Sequence, residues 1–568
     1  MMKLFKPVLA LLGLAAIGTA SASVKPDWIE TQNFDGKSAT VYTSNLADVV
    51  FNPAGEIVGW YIKQAAGTRL IDDKGGQPDF SKLLGEKPKD GNKGKEGAPN
   101  LVRNEQTVNG VVTVQAGRGL EVMIPGNTAA KTTRPVQLVR DVAHNRMQAI
   151  FTYSQGAATV TKTVVLHPRQ FNMQTEINVV GASGYTVSFD GLGKNANPGI
   201  RNLAQGGTVV EGAASTKNVQ YAALFDTLTT GFLGLGSNSY TAHMLVVRLG
   251  AGNPAGSTLS SATVGGQQAS LTLNAAGSTK LDIYGGKNEL IHLYQEGYTK
   301  LPGLFTPNIF GQISLYLVKF MEYLYTYLKS WGLVIFVFTI LLRLAIWPLM
   351  QTQGRTTAKM QMVQPMLKEA QTKYKDDPQR LQQETMRLYK ENNVNPAGCL
   401  SMFIPLPILA VLFSTFRNFE FDQGLWWLPD LSLPDPLYIL AVVYVAANLL
   451  QLYVGTRKSP QMFKQQSFIY VIYLYFALTF PAGVTLYWII STLIGAGQQF
   501  LINKQVEAQM LGGLASGGSV VVEKVADGRS QGAKVQRAQK TSLSKATSAS
   551  PASKVLKTTI KPATGNKK

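Results

Sequence analysis

The period of the hydrophobic pattern changes along this chain, and the change divides it into an exported-looking half and a membrane-like half. Over residues 24–300 the apolar positions recur every second residue, in a background rich in Val, Thr and Gly. In Phe171-Asn172-Met173-Gln174-Thr175-Glu176-Ile177-Asn178-Val179 alternate residues are apolar or Thr and the intervening ones polar. That alternation predicts a half-buried antiparallel strand. Thr159 to Leu166 predicts another, ending at a turn over His167-Pro168-Arg169. Val49-Val50-Phe51 and Ile57-Val58-Gly59-Trp60, separated by Asn52-Pro53-Ala54-Gly55, predict a hairpin. Many such strands in one segment predict a large all-β sandwich. Residues 72–99, dense in Lys, Asp, Gly and Pro, predict an exposed loop.

At 304–329 the period becomes helical. Gln312, Lys319, Glu322, Thr326 and Lys329 make a polar stripe, with Ile313, Leu317, Phe320, Leu324 and Leu328 opposite. Two readings stand: a helix lying in a membrane interface, or one packed on the β-domain. Beyond it the chain is segregated into long uncharged stretches. Residues 465–503 are 39 in a row without a charged side chain, roughly 58 Å as helix and barely two crossings of a ~30 Å hydrocarbon core. Pro481-Ala482-Gly483 near their middle supplies the breakers of a hairpin. Five spans follow, at Trp331–Leu349, Ala397–Phe416, Leu437–Val454, Phe468–Phe480 and Val484–Ile502.

Charge orients them. Segment 351–395 carries 8 Lys/Arg, and 455–467 carries Arg457, Lys458 and Lys464 with no acid. Segment 418–436 holds Glu420, Asp422, Asp430 and Asp435 with no base, and Trp426, Trp427 and Tyr438 suit an interface there. By the excess of cations on cytoplasmic loops, 351–395, 455–467 and the C-terminal tail lie inside and the β-rich segment outside. Within 351–395, Thr356 to Tyr374 reads as a helix containing Pro365. Asp377-Pro378 then opens a second, running to about Asn392, so a charged helical hairpin, 355–395, projects into the cytosol. Residues 503–568 hold 12 Lys/Arg against 3 Asp/Glu, and 511–568 reads as disordered. Such a tail suits ribosomal RNA or anionic lipid, or is simply solvated. At the other end Lys3, Lys6, an apolar run from Val8 to Ile17 and Ala20-Ser21-Ala22 make an export signal, cleaved or kept as an anchor.

One charge breaks the segregation. Arg343 is the fourteenth of the 25 residues from Ser330 to Gly354, and no Asp, Glu, Lys or His lies in any other span. Placing an arginine there costs about 2.5–3.5 kcal/mol on insertion scales unless it reaches water or a partner. Either it snorkels to the headgroups, or it stands in a hydrated cavity. Thr339, Ser414, Thr415, Asn448, Gln451, Tyr487, Ser491 and Thr492 are the polar residues available to line such a cavity, although each alone is ordinary interhelical glue. The four histidines and the single cysteine, Cys399, offer no metal-ligand spacing and no intrachain disulfide. No GxxxxGK, HExxH or GxSxG motif is present. No cofactor is expected, and no enzyme.

The span Trp331-Gly332 through Thr339-Ile340-Leu341-Leu342-Arg343-Leu344-Ala345-Ile346-Trp347-Pro348-Leu349 resembles the arginine-bearing helix of the YidC insertases, the bacterial branch of the Oxa family. Lys359-Met360, Gln364-Pro365, Tyr389-Lys390 to Asn395-Pro396, Pro405-Leu406-Pro407 and Phe480-Pro481-Ala482-Gly483 with Leu486-Tyr487-Trp488 continue the likeness in order over about 330–505. Pro405 and Trp488 depart from it, since family members often carry a polar residue and a Tyr there. The β-rich half is less similar; Ile283-Tyr284-Gly285-Gly286-Lys287 stands where the family's exported domain ends.

The resemblance implies five core transmembrane helices around a groove open to cytoplasm and lipid, a cytosolic helical hairpin and a periplasmic β-supersandwich over 24–303. It implies that Arg343 draws acidic residues of a substrate into the groove, and that Leu406, Pro407, Phe480 and Tyr487, with Trp488 beside them, meet its hydrophobic segment. Implied partners are nascent membrane proteins, the Sec translocon, the ribosome and membrane lipids, at a bacterial inner membrane. Two rival readings have signatures of their own. A secondary transporter would show duplicated halves, and these spans show no internal repeat. A sugar-binding β-domain would show clustered aromatics and carboxylates, and none is evident.

Overall fold

The computed structural model describes residues 24–515, apart from 64–67, 75, 87–96, 109–110, 117, 142–143, 191–198, 205–208, 212–218, 232–236, 251–252, 255–256, 265–267, 276, 301–308, 392–404, 422, 457–462 and 464–469. Nearly all of these belong to one compact unit, Met1–Val506; of the second, Glu507–Lys568, only the end of a helix is described.

Period-2 patterning produces two large antiparallel sheets. The first runs through eight strands, from Asp27–Phe34 at one edge by way of Ile57–Ile62, Gly119–Met123 and Tyr185–Asp190 to Thr258–Val264 at the other. The second has ten, with Arg146–Gln155, Ala158–Leu166, Asn172–Val180, Ser278–Lys287 and Ser237–Leu249 side by side. The predicted strand at 171–179 is observed as Asn172–Val180, with Met173, Thr175, Ile177 and Val179 inward and Gln174, Glu176 and Asn178 outward. Its register is set by pairs such as Val160 with Val179 and Thr175 with Leu281. The predicted hairpin is Ala47–Phe51 against Ile57–Ile62. Phe51 and Phe151, one from each sheet, meet at 5.3 Å in a shared core with Trp28, Trp60, Phe189 and Tyr284. Each such ring removed from water contributes about 1.5–3 kcal/mol.

Residues 72–99 are not a plain exposed loop. Asp72–Lys74 and Gln77–Asp79 pair as a hairpin, followed by α1, Ser81–Leu84. Phe80 and Leu83 are buried against Phe34, Val41, Val50 and Tyr61, on the far side of the first sheet from the main core. Two apolar side chains in a polar stretch are enough to dock it. At the domain's end Gly285 and Gly286 have no room for a side chain. A Cβ would stand 2.5 Å from the Trp60 ring and 2.7 Å from that of Phe171. These glycines let the last strand press against both neighbours.

After α2, Leu290–Gln295, comes α3, Ile309–Leu328, the predicted amphipathic helix. Its buried stripe is Ser314, Val318 and Met321, with Leu317, Leu324 and Leu328 half-buried beside it. Ile313 and Phe320, members of the apolar stripe read from the sequence, are exposed along with Ile309, Phe310 and Tyr316. The helix packs on α4, Trp331–Ala345, and α7, Pro405–Asn418, through its narrower residues, and a second apolar face stays open. The first span breaks at Ile346, earlier than expected, and α5 runs from Trp347 to Lys373 with Pro365 inside. Pro348 in the first turn of α5 explains the early start, because its fixed φ favours initiation there. The helix was expected only from Thr356. Next is α6, Pro378–Glu391, opened by Asp377, whose side chain accepts the Arg380 N–H at 3.0 Å. It packs on α5, completing the expected hairpin.

Three helices complete the unit: α8, Ile439–Thr456; α9, Tyr470–Thr479; and α10, Ala482–Ala515. Ile439–Thr456 and Ala482–Gln505 are each long and apolar enough to cross a membrane, and Trp331–Ala345 is a shorter apolar helix. The segment read as disordered from 511 is still helical to Ala515, where α10 ends; residues 516–568, like the export signal at 1–23 and Cys399, lie outside the described residues. Between α9 and α10 the breakers act as expected. Freed backbone N–H groups of Ala482 and Gly483 donate to Leu433 (2.7 Å) and Leu431 (2.8 Å) of the segment before α8.

That acidic segment is built, not merely charged. Asp435 caps α8, accepting from the N–H groups of Leu437 (3.0 Å) and Leu440 (2.7 Å) and from Trp427 Nε1 (3.1 Å). Arg169 of the β-domain donates to the Phe421 carbonyl at 3.2 Å and lies 3.8 Å from the Asp430 carboxylate. Trp426 remains 84% exposed, as an interfacial residue would be.

Candidate functional site

Arg343 occupies the last turn of α4, where the helix's carbonyl end favours a cation. Its side chain reaches α10. Nε and Nη2 both donate to Ser491 Oγ, at 2.9 and 2.5 Å. Among the described residues no carboxylate lies within ion-pair distance of the half-buried guanidinium, whereas the buried Lys63 has Asp48 at 3.2 Å and the buried Lys162 has two carbonyls. One turn beyond Ser491, Gly495 presents bare backbone. A Cβ there would be 3.6 Å from Nη2 and 3.7 Å from Nη1 of Arg343, and 3.1 Å from Nε2 of Gln451 on α8. Helices α4, α8 and α10 thus converge on one polar point.

One turn before Ser491, and so on the same face of α10, Tyr487 is buried and stacks on Phe416 at 4.9 Å. Beside it Phe480, Phe413, Trp488 and Tyr444 form a continuous aromatic layer. Centroid distances are 4.9 Å for Phe413–Phe480, 5.5 Å for Phe480–Trp488 and 5.4 Å for Tyr444–Trp488. The Trp488 indole N–H is shut away there without an acceptor among the described residues.

The other polar residues singled out in the sequence divide. Thr339 donates to the Ile335 carbonyl (2.6 Å), Thr415 to Val411 (2.7 Å) and Asn448 to Tyr444 (2.8 Å). Each satisfies itself on its own helix one turn back, the usual recourse of a hydroxyl or amide in an apolar bundle. Ser414 is exposed, and Thr492 is nearly buried. Leu406 and Pro407 open α7, and their side chains lie outside the described residues. Gly495 was not singled out, although its i+4 spacing from Ser491 was legible.

A second group of ionisable residues, also missed, lies at the seam between the β-domain and the helices. Phe171 N–H donates to Glu296 Oε1 at 2.8 Å, while Glu296 Oε2 is buried without a partner among the described residues. Gln295 and Glu420 exchange side-chain-to-backbone bonds at 2.9 and 3.0 Å. His292 stands between Glu289 (3.1 Å) and Glu420 (4.0 Å). Burial pushes the Glu296 carboxyl up to about 8 and that of Glu420 up to about 7. Only the distant pairing of residues 171, 296 and 420 reveals this group. Among the described residues no cluster of His, Cys, Asp and Glu is able to hold a metal.

A sequence profile of the family described as 60Kd inner membrane protein matches residues 323–509. The membrane protein insertase YidC of Deinococcus radiodurans is 50% identical over 425 residues, covering 73% of this chain and 94% of that one. The YidC of Campylobacter jejuni is 34% identical over 201 residues, 34% of this chain and 38% of its own. The crystal structure of an active YidC insertase with its first transmembrane domain resolved superposes with a TM-score of 0.44 at 17% identity, covering 87% of this chain and 98% of that one. With half of its residues shared over most of both chains, the protein belongs to the YidC family of membrane protein insertases.

Proposed function

We propose that this chain inserts newly made proteins into a bacterial inner membrane, and helps them fold there, without bond chemistry. A groove bearing Arg343 would serve as the path, and α4, α7, α8, α9 and α10 would be the five core spans. The observation that supports this reading is the guanidinium held by a serine hydroxyl and, among the described residues, facing no carboxylate. A cation placed among apolar helices is costly, and persists where hydration or an incoming anion offsets the cost. A substrate's polar segment would cross half the membrane beside this cation. Its apolar segment would then leave over the aromatic layer of Phe480, Tyr487 and Trp488 into lipid, the partition that drives the process. Thr339, Ser414 and Gln451 would border the polar path, with Leu406 and Pro407 at the mouth of α7.

Loop charge supports a cytoplasmic hairpin α5–α6 and C-terminus with a periplasmic β-domain. The basic tail and hairpin would meet the ribosome, and the Sec translocon would be a further partner. The test is insertion into liposomes holding only this protein. A short substrate with an acidic translocated segment should insert with the native chain and at least tenfold less with Arg343→Ala. Equal insertion by both would refute the role of the cation. Crosslinkers at Leu406 and Phe480 should capture the substrate's apolar segment; capture confined to the lipid-facing side of α3 would reject the path.

A further inference from the structure

We infer that Gly495, with Ser491 and Gln451, makes the Arg343 guanidinium a seat for one carboxylate of the arriving polar segment, and that the missing side chain of Gly495 sets what fits; this rests on the insertion path proposed above. Ser491 takes Nε and the near N–H of Nη2, so the ring of donors is fixed in rotation by two bonds to one oxygen. Of the five guanidinium N–H groups this leaves those on Nη1 and the second on Nη2. The same two terminal nitrogens face Gly495 almost equally, and Gln451 Nε2 faces the same point. Three nitrogens carrying N–H groups from α4 and α8 therefore surround a volume that a side chain on α10 would fill.

A carboxylate oxygen bonded to a guanidinium sits about 2.7–2.9 Å from nitrogen. A methyl group 3.6–3.7 Å from both terminal nitrogens and 3.1 Å from the amide would occupy the space such an oxygen, or the carbon bearing it, needs. A glycine inside a long apolar helix costs about 1 kcal/mol relative to alanine, so its presence at this position needs a reason other than helix stability. The atoms nearest to a Cβ there are the polar nitrogens of Gln451 and Arg343, so the space that the glycine leaves open is lined by donors and not by apolar carbon. Arginine recognises a carboxylate through two fixed donors, whereas a lysine point charge does not. Ser491 is a positioning residue in this account: it holds the fork but leaves the bond to the substrate to Nη1, Nη2 and Gln451.

The experiment uses the full-length protein in liposomes and two substrates identical except for the translocated segment, one with a single Asp and one with Asn. Gly495→Ala should lower insertion of the Asp substrate several-fold and leave the Asn substrate within twofold, with an unchanged or raised melting temperature. Ser491→Ala should reduce the preference for Asp, and Ser491→Thr, which keeps the hydroxyl, should restore most of it. If Gly495→Ala inserts both substrates normally while Arg343→Ala still fails on the Asp substrate, the seat is wrong and the path survives. If Arg343→Ala also inserts both normally, the path itself is wrong. Equal loss on both substrates with Gly495→Ala would mark Gly495 as a packing residue and overturn the seat.

Discussion

Two cations, the buried Lys162 in the β-sandwich and the half-buried Arg343 in the helical bundle, are treated in opposite ways. Lys162 has no exposure, and Nζ donates to the carbonyls of Leu120 (2.6 Å) and Gly55 (3.3 Å), with Glu56 near enough to attract it. Lys63 is as deep and lies 3.2 Å from Asp48, which is equally sealed. Inside the sandwich each charge is matched by the protein, as the expense of an uncompensated ion demands. Among the described residues Arg343 receives only a hydroxyl that accepts its hydrogen bonds without neutralising it. The sandwich matches its buried cations with its own acceptors, whereas the guanidinium in the bundle meets a single hydroxyl, as the proposed insertion path requires.

The largest test of that contrast is removal of one partner. Asp48→Ala leaves Lys63 buried and unpaired, and should destabilise the protein by about 3–5 kcal/mol in chemical denaturation. Loss of under ~1 kcal/mol would show that water reaches the pair, and the contrast would fade.

Next comes pH. The Glu296 and Glu420 carboxyls titrate in the folded protein near about 8 and 7, against 4.5 when free. A raised carboxyl pKa means that the folded state holds the proton more tightly, so this stabilisation is complete below pH ~4.5 and is lost as pH rises through 7 to 8. Lys162, pushed down to about 7, is charged in both states below that value and opposes the trend only above it. The melting temperature of the full-length protein should therefore fall from pH 5 to 7, and Glu296→Gln should flatten part of the slope. A rising curve over that window would contradict the burial of the two carboxyls.

Smaller again is the cap. Asp435→Ala removes the acceptor of three hydrogen bonds at the start of α8, from Leu437, Leu440 and Trp427, and should cost about 1 kcal/mol or more, read in the same unfolding assay. Smallest is Ser491→Ala, which leaves a cation that had little protein support to lose. Its effect on stability should stay within about 0.5 kcal/mol, by contrast with Asp48→Ala, and a loss of several kcal/mol would mean that the serine is structural.

Much of this was legible in the sequence, for reasons that also explain what was not. Alternation placed the strand 172–180 and its faces because a period of 2 leaves no choice of side once one face is buried. Pro481-Ala482-Gly483 placed the α9–α10 break, and Asp377-Pro378 the start of α6, because breakers and caps act locally. The apolar stripe on α3 was legible, but not which of its residues the neighbouring helices cover: Val318 and Met321 are buried while Ile313 and Phe320 are exposed. Trp347 opens α5 nine residues before the expected start, because Pro348 suits a first turn as well as it suits a membrane boundary. At the site, Arg343 announced itself by cost alone. Which of eight polar residues it would find depended on tertiary approach: Ser491 and Gln451 converge on it, whereas Thr339, Thr415 and Asn448 turn to their own carbonyls. The seam of Glu296 and Glu420 joins residues more than a hundred positions apart, and no local pattern carries that information.

Whether the Arg343 charge truly faces water from the inside can be read with one thiol. In a Cys399→Ser background, Gln451→Cys beside Arg343 should react with a membrane-impermeant maleimide added to the cytoplasmic face of membrane vesicles, and not with the same reagent on the periplasmic face. A thiol protected from both faces, with the protein folded, would mean a dry, closed bundle and would contradict the account.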